Sequence, residues 1–445
     1  MLKASGQSKP MKSYSEIPKD PIHQTWFHSL QFIKDAPLFL EQQRQKHGQV
    51  FRCRIFGFDI VRIQDADVTG TILKNSHEIV SAEKGWEVVL DDIFPNGLLS
   101  KDGKHHLFHR RIMQHAFKKE AMLAYFEEIK VWSEALASDL ALKPSVDFFP
   151  YIKVQTLNLA LKLFLGLDPS EAVSKSISKA FIDMVESTMA LVRIPMLNSK
   201  FHRGVKGRAH LIDVFSSLVK QRRKQPRNDL VSFLCDSTDE DGNQFSDEQI
   251  IDHIIFTMMA AHDTTASSLS SLMLQITDNI HWQDKIAEEV SRFPNLSYEQ
   301  LKDLTVSENV FKETLRIMPP VVTAPRVFFK DVNLLGYDIP AGTRTGINIY
   351  GNHHDPRYWN SPEKFDPTRF ERGEDKNHPN IYIPFGGGAH KCIGMHVAMM
   401  EVKLILNAIF KQLRVEQVDP SQPVLFKKVP IWHPKGKFEL KFKSA

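Results

Sequence analysis

Phe385-Gly386-Gly387-Gly388-Ala389-His390-Lys391-Cys392-Ile393-Gly394 is the stretch on which the fold of this chain turns. It runs directly into an amphipathic segment, Met395 to Leu413, that reads as a long helix, so Cys392 stands at a helix entrance. Backbone amides and the positive end of a helix favour a thiolate there. Three successive glycines let the backbone come close to something flat and bulky. A lone cysteine is more often a small buried hydrophobe, but a thiolate in this setting is also a good axial ligand for a metal. The rest of the chain decides between the two.

Phe385, Gly388, His390, Cys392 and Gly394 fit the pattern Phe-x-x-Gly-x-(Arg/His)-x-Cys-x-Gly, which resembles the heme-binding loop of cytochromes P450. The resemblance implies a heme whose iron is held by the Cys392 thiolate, a ligand that pushes electron density onto iron and favours O–O cleavage. It also implies that Phe385 packs beside the sulfur and that His390 meets a propionate. The sequence has no Cys-x-x-Cys-His attachment motif, so the expected cofactor is a non-covalent heme b.

Further motifs follow in the family's order. Glu313-Thr-Leu-Arg316 places opposite charges three residues apart on one helix face, a spacing that also supports any surface helix. It is similar to the family's ExxR, and Phe365-Asp-Pro-Thr-Arg369-Phe370 resembles the segment that completes a structural cluster of Glu313, Arg316 and Arg369. Thr368 stands where the family has an acid, which leaves that loop's contacts open. The run from Asp247 to Ile276 is apolar nearly all round, as in a helix through the middle of a large domain. At its centre Ala260-Ala-His-Asp263-Thr264 resembles the family's acid–alcohol pair, which implies that Thr264 hydrogen-bonds dioxygen and Asp263 relays protons. A threonine inside a helix is otherwise commonly back-bonded to the preceding turn. Ala261 replaces the family's usual glycine, and its methyl puts the oxygen groove in question.

For the heme propionates, Gly103-Lys-His-His106-Leu-Phe-His-Arg110 resembles the family helix in which His106 and Arg110, four apart on one face, reach a carboxylate. Arg326 fits the third basic contact. Without that resemblance His105, His106 and His109 read as a solvated basic helix start, and no further ligand at useful spacing supports zinc.

The composition suits a large globular domain: 445 residues, 42% hydrophobic, with 57 Lys plus Arg against 53 Asp plus Glu. With charges this balanced and no long basic block, nucleic-acid binding has no support as the main activity. Cys53, Cys235 and Cys392 are too scattered for a disulfide framework, so a reducing compartment is the default. The sequence shows neither a bilayer-spanning apolar run nor a secretory signal, so the expectation is a cytoplasmic protein without a transmembrane anchor. Residues 1–21 read as a polar, loosely held segment and 22–445 as one domain. Within it, Pro37 to Lys46 reads as a helix, 50 to 64 as a hairpin, 105 to 318 as mostly helical, and the region after Pro319-Pro320 as short strands. The expected class is mainly α with a minor β region, by resemblance the cytochrome P450 fold.

The resemblance implies a monooxygenase catalysing RH + O2 + 2 electrons + 2 protons → ROH + H2O, by hydroxylation or oxidative O-demethylation of a small molecule. Motifs fill the chain to Gly394, so the electron donor is expected to be a separate ferredoxin or flavodoxin with its reductase. Lys391, Lys118 and Lys119 read either as its docking face or as ordinary solvated lysines. Family precedent places substrate contacts at Trp86, Val89 and Leu90, at Met258, Met259 and His262, and at Val322 and Thr323. The apolar members suit a lipid-like substrate such as a fatty acid, terpenoid or retinoid. Glu83, Lys84, Glu87, Asp91 and Asp92 leave open a polar methoxylated substrate such as an O-methyl sugar, or merely a solvated loop. A peroxide-using or isomerising heme-thiolate enzyme would not need Asp263 and Thr264, and a non-catalytic heme sensor would bring a signalling domain.

Overall fold

A computed structural model describes residues 11–445 apart from 75, 77, 91–92, 169–171, 189, 191–193, 195, 198 and 239–241. Its helices are α1 (Ile22–Thr25), α2 (His28–Lys34), α3 (Ala36–His47), α4 (Ala66–Lys74), α5 (Glu83–Leu90), α6 (Gly103–Gln114), α7 (Lys119–Leu142), α8 (Phe148–Leu165), α9 (Ala172–Ser187), α10 (Lys200–Lys224), α11 (Leu230–Asp236), α12 (Asp247–Asp278), α13 (His281–Ser291), α14 (Thr305–Ile317), α15 (Ile349–His353) and α16 (Met395–Phe410). The strands are β1 (Val50–Ile55), β2 (Phe58–Ile63), β3 (Val80–Ser81), β4 (Val146–Asp147), β5 (Thr323–Phe328), β6 (Val332–Leu334), β7 (Tyr337–Ile339), β8 (Arg344–Asn348), β9 (Leu413–Gln417), β10 (Phe426–Lys427), β11 (His433–Pro434) and β12 (Glu439–Ser444).

α12 is the axis. A capping box starts it, with Ser246 Oγ accepting the Gln249 amide and Gln249 Oε1 accepting the Ser246 amide. Every residue from Ile250 to Met258 and from Thr265 to Met273 is buried, which explains a sequence with no polar face. α8, α10, α11, α14 and α16 pack along it, and one core cluster joins these helices. α9 and α10 lie close because Gly204 and Gly207 have no side chain; a Cβ on either would overlap Ser187 or the Ala180 carbonyl.

The larger sheet has the order β1-β2-β8-β5-β3, and only the β2–β8 pair is parallel. Phe56 and Gly57, both at positive φ, make the two-residue turn between β1 and β2. β4-β12-β9 form a second sheet, and β6–β7 and β10–β11 are separate pairs. The architecture is the mainly helical domain with minor sheets that the sequence suggested.

Two expectations need correction. Residues 11–21 are docked: Ile17 is buried, Lys12 bridges to Tyr337, and Lys19 bridges to Arg52. Asp20 is buried too, and hydrogen bonds from Lys46, Gln43, His47 and His28 outweigh its burial and hold its carboxyl far below the usual range. Residues 1–10 of that segment lie outside the described residues. The C-terminal helix also stops at Phe410 rather than Leu413, because Leu413 pairs with Ser444 as the first residue of β9. Among the described residues, no helix is long and apolar enough to cross a membrane.

Candidate active site

The Cys392 loop is tied by its own backbone. Gly386 N–H donates to Ile383 O (2.9 Å), Cys392 N–H to Phe385 O (2.9 Å) and Lys391 N–H to Gly388 O (3.2 Å). A Cβ on Gly388, at φ +62°, would lie 1.9 Å from the Leu73 carbonyl oxygen, and one on Gly387 would lie 2.9 Å from the Leu73 side chain. The loop passes over the end of α4, and that passage requires glycine at 388, where the obstacle is backbone; at 387 the obstacle is only the flexible end of the Leu73 side chain. Gly386, at φ +67°, has nothing nearer than 3.8 Å to a Cβ, and Gly394 faces open space.

Cys392 is solvent-accessible, whereas Cys53 and Cys235 are buried. Surrounding protein nevertheless raises its thiol pKa, against the Gly394 and Met395 amides, Arg110 and Lys391, which favour the thiolate. A side chain both accessible and enclosed lines a concavity. α12 shows the same signature at Met259, Ala260, Ala261 and Thr264, its only accessible positions between Ile250 and Met273. Ala260, Ala261 and Thr264 fall within about 100° of one another around the helix. Met259, Ala260 and Ala261 share the large core with Trp86, Val89, Leu99, Phe385 and Ile393, which are likewise partly accessible.

Asp263 and Thr264 adjoin in sequence but have different partners. Thr264 Oγ1 donates to Ala260 O (2.8 Å), the ordinary back-bond. Asp263 is buried, with Oδ1 2.8 Å from Lys153 Nζ on α8 and 3.4 Å from His262 Nε2. Asp263 Oδ2 has no hydrogen-bond partner among the described residues. Two residues expected at the substrate, Met258 and His262, lie away from this concavity. His262 Nδ1 donates to Met258 O (2.7 Å), and its ring meets Phe181 at 6.2 Å. Met258 and His262 are fully buried on the side of α12 turned away from Ala260 and Thr264, and burial lowers the His262 pKa.

Cationic and N–H donors gather around α6, β5 and the Cys392 loop. The His106 and His390 ring centroids lie 4.0 Å apart, with the planes tilted by 34°. Arg326 is 5% exposed; its Nη1 donates to Pro325 O, its Nε has no partner among the described residues, and burial lowers its pKa to about 10. Burial also lowers Arg110, opposed by Cys392. A Cβ on Gly85 would lie 2.5 Å from Pro325 O, so α5 lies against β5 and brings Trp86 there. The buried Trp86 Nε1 also lacks a partner among the described residues. Asp102 accepts from Ser81 Oγ and Ala82 N–H and lies 3.7 Å from His390 Nε2. Buried donors without acceptors, set among cations that outnumber this one carboxylate, match a ligand bearing carboxylates. Heme carries two such groups and its iron can be held by a thiolate, so these residues would fit it.

Glu313, Arg316 and Arg369 assemble in a fully buried cluster. Arg316 Nε and Nη2 reach the Glu313 carboxylate at 2.8 and 2.9 Å, and Arg369 Nε reaches it at 2.9 Å. Both guanidiniums stack over Trp359. Thr368, in the acid's place, bonds Asp366 and Arg372. His353 links this cluster to the Cys392 loop, its Nδ1 donating to Arg316 O (3.2 Å) and its Nε2 accepting Ile383 N–H (2.9 Å).

Of the other substrate assignments, Leu90 is buried, and Val322 packs in a separate core with Met318 and Trp432. Thr323 Oγ1 is engaged by Arg62 (3.0 Å). Glu83, Lys84 and Glu87 are exposed, as are Lys118, Lys119 and Lys391; Asp91 and Asp92 lie outside the described residues. Sequence reasoning missed Lys153, Asp102 and His353. Asp102 carried a signal, standing at the N-cap of the helix that holds His106. Lys153 and His353 carried none, because their partners are distant in sequence.

A family model for cytochrome P450 matches residues 18–442. The chain is 35% identical over 407 residues to a putative cytochrome P450 136 of Mycobacterium tuberculosis, across 88% of this chain and 82% of that protein. It is 26% identical over 412 residues to a beta-amyrin 6-beta-monooxygenase of Solanum lycopersicum, across 88% of this chain and 85% of that one. The retinoic acid-bound structure of cyanobacterial CYP120A1 matches with a TM-score of 0.87 at 25% identity, over 98% of this chain and 99% of that chain. With a matched span that takes in the Cys392 loop, the α12 pair and the Glu313 cluster, the chain belongs to the cytochrome P450 family of heme-thiolate monooxygenases.

Proposed function

We propose that Cys392 is the axial ligand of a non-covalent heme b, and that the protein hydroxylates a lipid-like substrate, a terpenoid or retinoid, in the cytoplasm. Its electrons come from a separate ferredoxin- or flavodoxin-type donor. One observation carries the ligand assignment: the Cys392 thiol is accessible yet enclosed, with the Gly394 and Met395 amides favouring its anion. When bound, heme supplies reductive activation of dioxygen.

The protein's residues hold the cofactor and handle protons. Arg326, Arg110, His106 and His390 would hold the propionates, and Trp86, expected at the substrate, would join them through its indole N–H. Phe385, Gly388 and Gly394 shape the sulfur loop. Thr264 has its own proton on Ala260 O, which leaves its oxygen lone pairs able to accept a hydrogen bond from the cavity. Asp263 is anchored at Oδ1 by Lys153, and Oδ2 is the atom that takes and releases a proton.

Apolar, partly accessible Val89, Leu99, Met259, Ala260 and Ala261 favour a lipid-like substrate. Glu83, Lys84 and Glu87, three of the five charges that would favour an O-methyl sugar, are turned to solvent. The names of the tomato relative and of the retinoic acid-bound structure point the same way. The reduced protein with carbon monoxide should absorb near about 450 nm, and Cys392→Ala should lose that band; a band that survives ends the ligand assignment. In a spectral binding screen, triterpenes or retinoids should perturb the heme while O-methyl sugars do not. Formaldehyde released from a methyl sugar would reverse the substrate reading.

A further inference from the structure

Asp263 has to be refilled: each proton that Oδ2 gives to the cavity must be replaced from solvent, and the carboxylate is buried. It stands about 100° round α12 from Thr264, on a side closed by two other elements. Ser267, one turn on from Asp263, donates through Oγ to Trp432 O, and β11 packs on α12 there. Thr156 on α8 donates through Oγ1 to His262 O (3.3 Å), which fixes α8 along the same stretch. Asp263 therefore lies where α12, α8 and β11 meet.

Two titratable side chains at this junction reach solvent. Lys153 is committed to Asp263 Oδ1, its ammonium 2.8 Å away. His433, on β11, is half-buried, and its ring stacks on Phe149 with centroids 5.0 Å apart and planes 16° apart. Phe149 and Lys153 are four apart on α8, so stacking on one sets His433 beside the other. His433 Nδ1 faces Ile431 O at 2.8 Å and must carry the hydrogen, which leaves Nε2 as the bare nitrogen that gains or loses a proton. His262, the other histidine near Asp263, is closed off from solvent.

The charges facing His433 come from each element around it: Lys153 on α8, Asp263 on α12, and Lys427 across the β10–β11 pair. Burial lowers its pKa, and Lys427 and Lys153 add to that, while the Ile431 carbonyl and Asp263 raise it. The ring is thus electrically coupled to the acid. An imidazole below its ordinary value is neutral at pH 7 and readily releases a proton that it picks up.

We infer that His433 is the entry point through which protons from solvent reach Asp263. Nε2 takes a proton from water and passes it on to Oδ2, and the ring returns to its neutral form with Nδ1–H still on Ile431 O; only N–H and O–H bonds are made and broken. The inference rests on the reading of Asp263 as the acid that serves the cavity, and adds the residue that refills it.

The test begins with ring NMR of histidine-labelled full chain in its diamagnetic ferrous carbon monoxide form. The His433 midpoint should lie below 6.5 and should fall by a few tenths of a pH unit in Asp263→Asn. The second measurement drives the heme-loaded chain with NADPH, a ferredoxin and its reductase, with no organic substrate, and follows peroxide released against oxygen consumed. His433→Asn keeps a donor for Ile431 O and His433→Phe keeps the stack on Phe149, but neither side chain titrates. Each should cut the share of oxygen carried through to water about ten-fold and abolish the decline of that share as pH rises past the wild-type midpoint, with the carbon monoxide band and circular dichroism unchanged. A His433 midpoint unmoved by Asp263→Asn would overturn the inference. So would a wild-type share and pH profile in either His433 variant; with Asp263→Asn still diverting oxygen to peroxide, that result leaves the reading of the acid standing, whereas a wild-type share in Asp263→Asn overturns both.

Discussion

Acidification from pH 7 to pH 5 should destabilise this protein through four buried histidines. His353 has both ring nitrogens engaged in its neutral form, so protonation breaks the link between the Glu313 cluster and the Cys392 loop. His109 and His253 meet at 2.5 Å, one ring N–H donating to the other's bare nitrogen against the face of Phe245. His354 stacks on Tyr350 at 3.8 Å. Burial lowers all four, His109 to about 4, His354 to about 3, and His253 and His353 well below 6.5. A depressed folded pKa means that the unfolded chain binds more protons below about 6.5, so stability is complete above that pH and falls beneath it. Each group then loses about 2 kcal/mol between pH 7 and 5, or about 8 kcal/mol for the four.

Glu401 acts in the opposite sense. Burial pushes its carboxyl up to about 8, so the folded state is penalised at pH 7 and relieved by about 2–3 kcal/mol at pH 5. The net loss is about 5 kcal/mol, of the order of a domain's whole stability. His262 and His433 are also lowered by burial and add to it, whereas the depressed Asp20, Asp102, Glu308 and Asp366 contribute only below their ordinary carboxylate range. At a typical unfolding entropy per residue the melting temperature should drop about 5 °C. Scanning calorimetry in buffers of different ionisation enthalpy should find an uptake of about three protons on unfolding near pH 5.5. A melting temperature unchanged between pH 7 and 5, or an uptake of one proton or fewer, would refute the reasoning.

Gly388→Ala drives a Cβ into the Leu73 carbonyl and should cost about 2–4 kcal/mol, whereas Gly386→Ala, with open space, should cost only about 1 kcal/mol; equal melting temperatures for the two would contradict the packing account. Arg369→Met leaves part of the buried Glu313 charge uncompensated and should destabilise by about 3–5 kcal/mol, with heme content falling in step; unaltered heme content would separate the cluster from the Cys392 loop. Lys153→Met should destabilise by roughly 3 kcal/mol, and adding Asp263→Asn should restore much of that. Additive losses in denaturant titrations would deny the 2.8 Å pair its coupling. Trp86→Phe removes one N–H and should speed heme transfer to apomyoglobin a few-fold, about 1 kcal/mol in affinity; an unchanged rate would return Trp86 to the substrate side.

What could be read in advance was chemistry held within a few residues. The Cys392 loop and the start of α16 lie in one short stretch, and the capping box of α12 spans Ser246 to Gln249. The apolar circumference of α12 and the Glu313–Arg316 spacing are likewise local, so the amino-acid sequence by itself determined the family and the central helix and singled out Cys392 as the candidate ligand. Rotation is not local. Which of His262 and Thr264 meets the cavity depends on how α8, α9 and α10 pack around α12, and both orientations are compatible with a helix apolar all round. The same limit hid Lys153 as the partner of Asp263, His353 as the tie between cluster and loop, and Leu73 as the reason for Gly388. Those decisions belong to tertiary structure, because a buried charge or a crowded glycine is defined by whatever distant segment comes to lie against it.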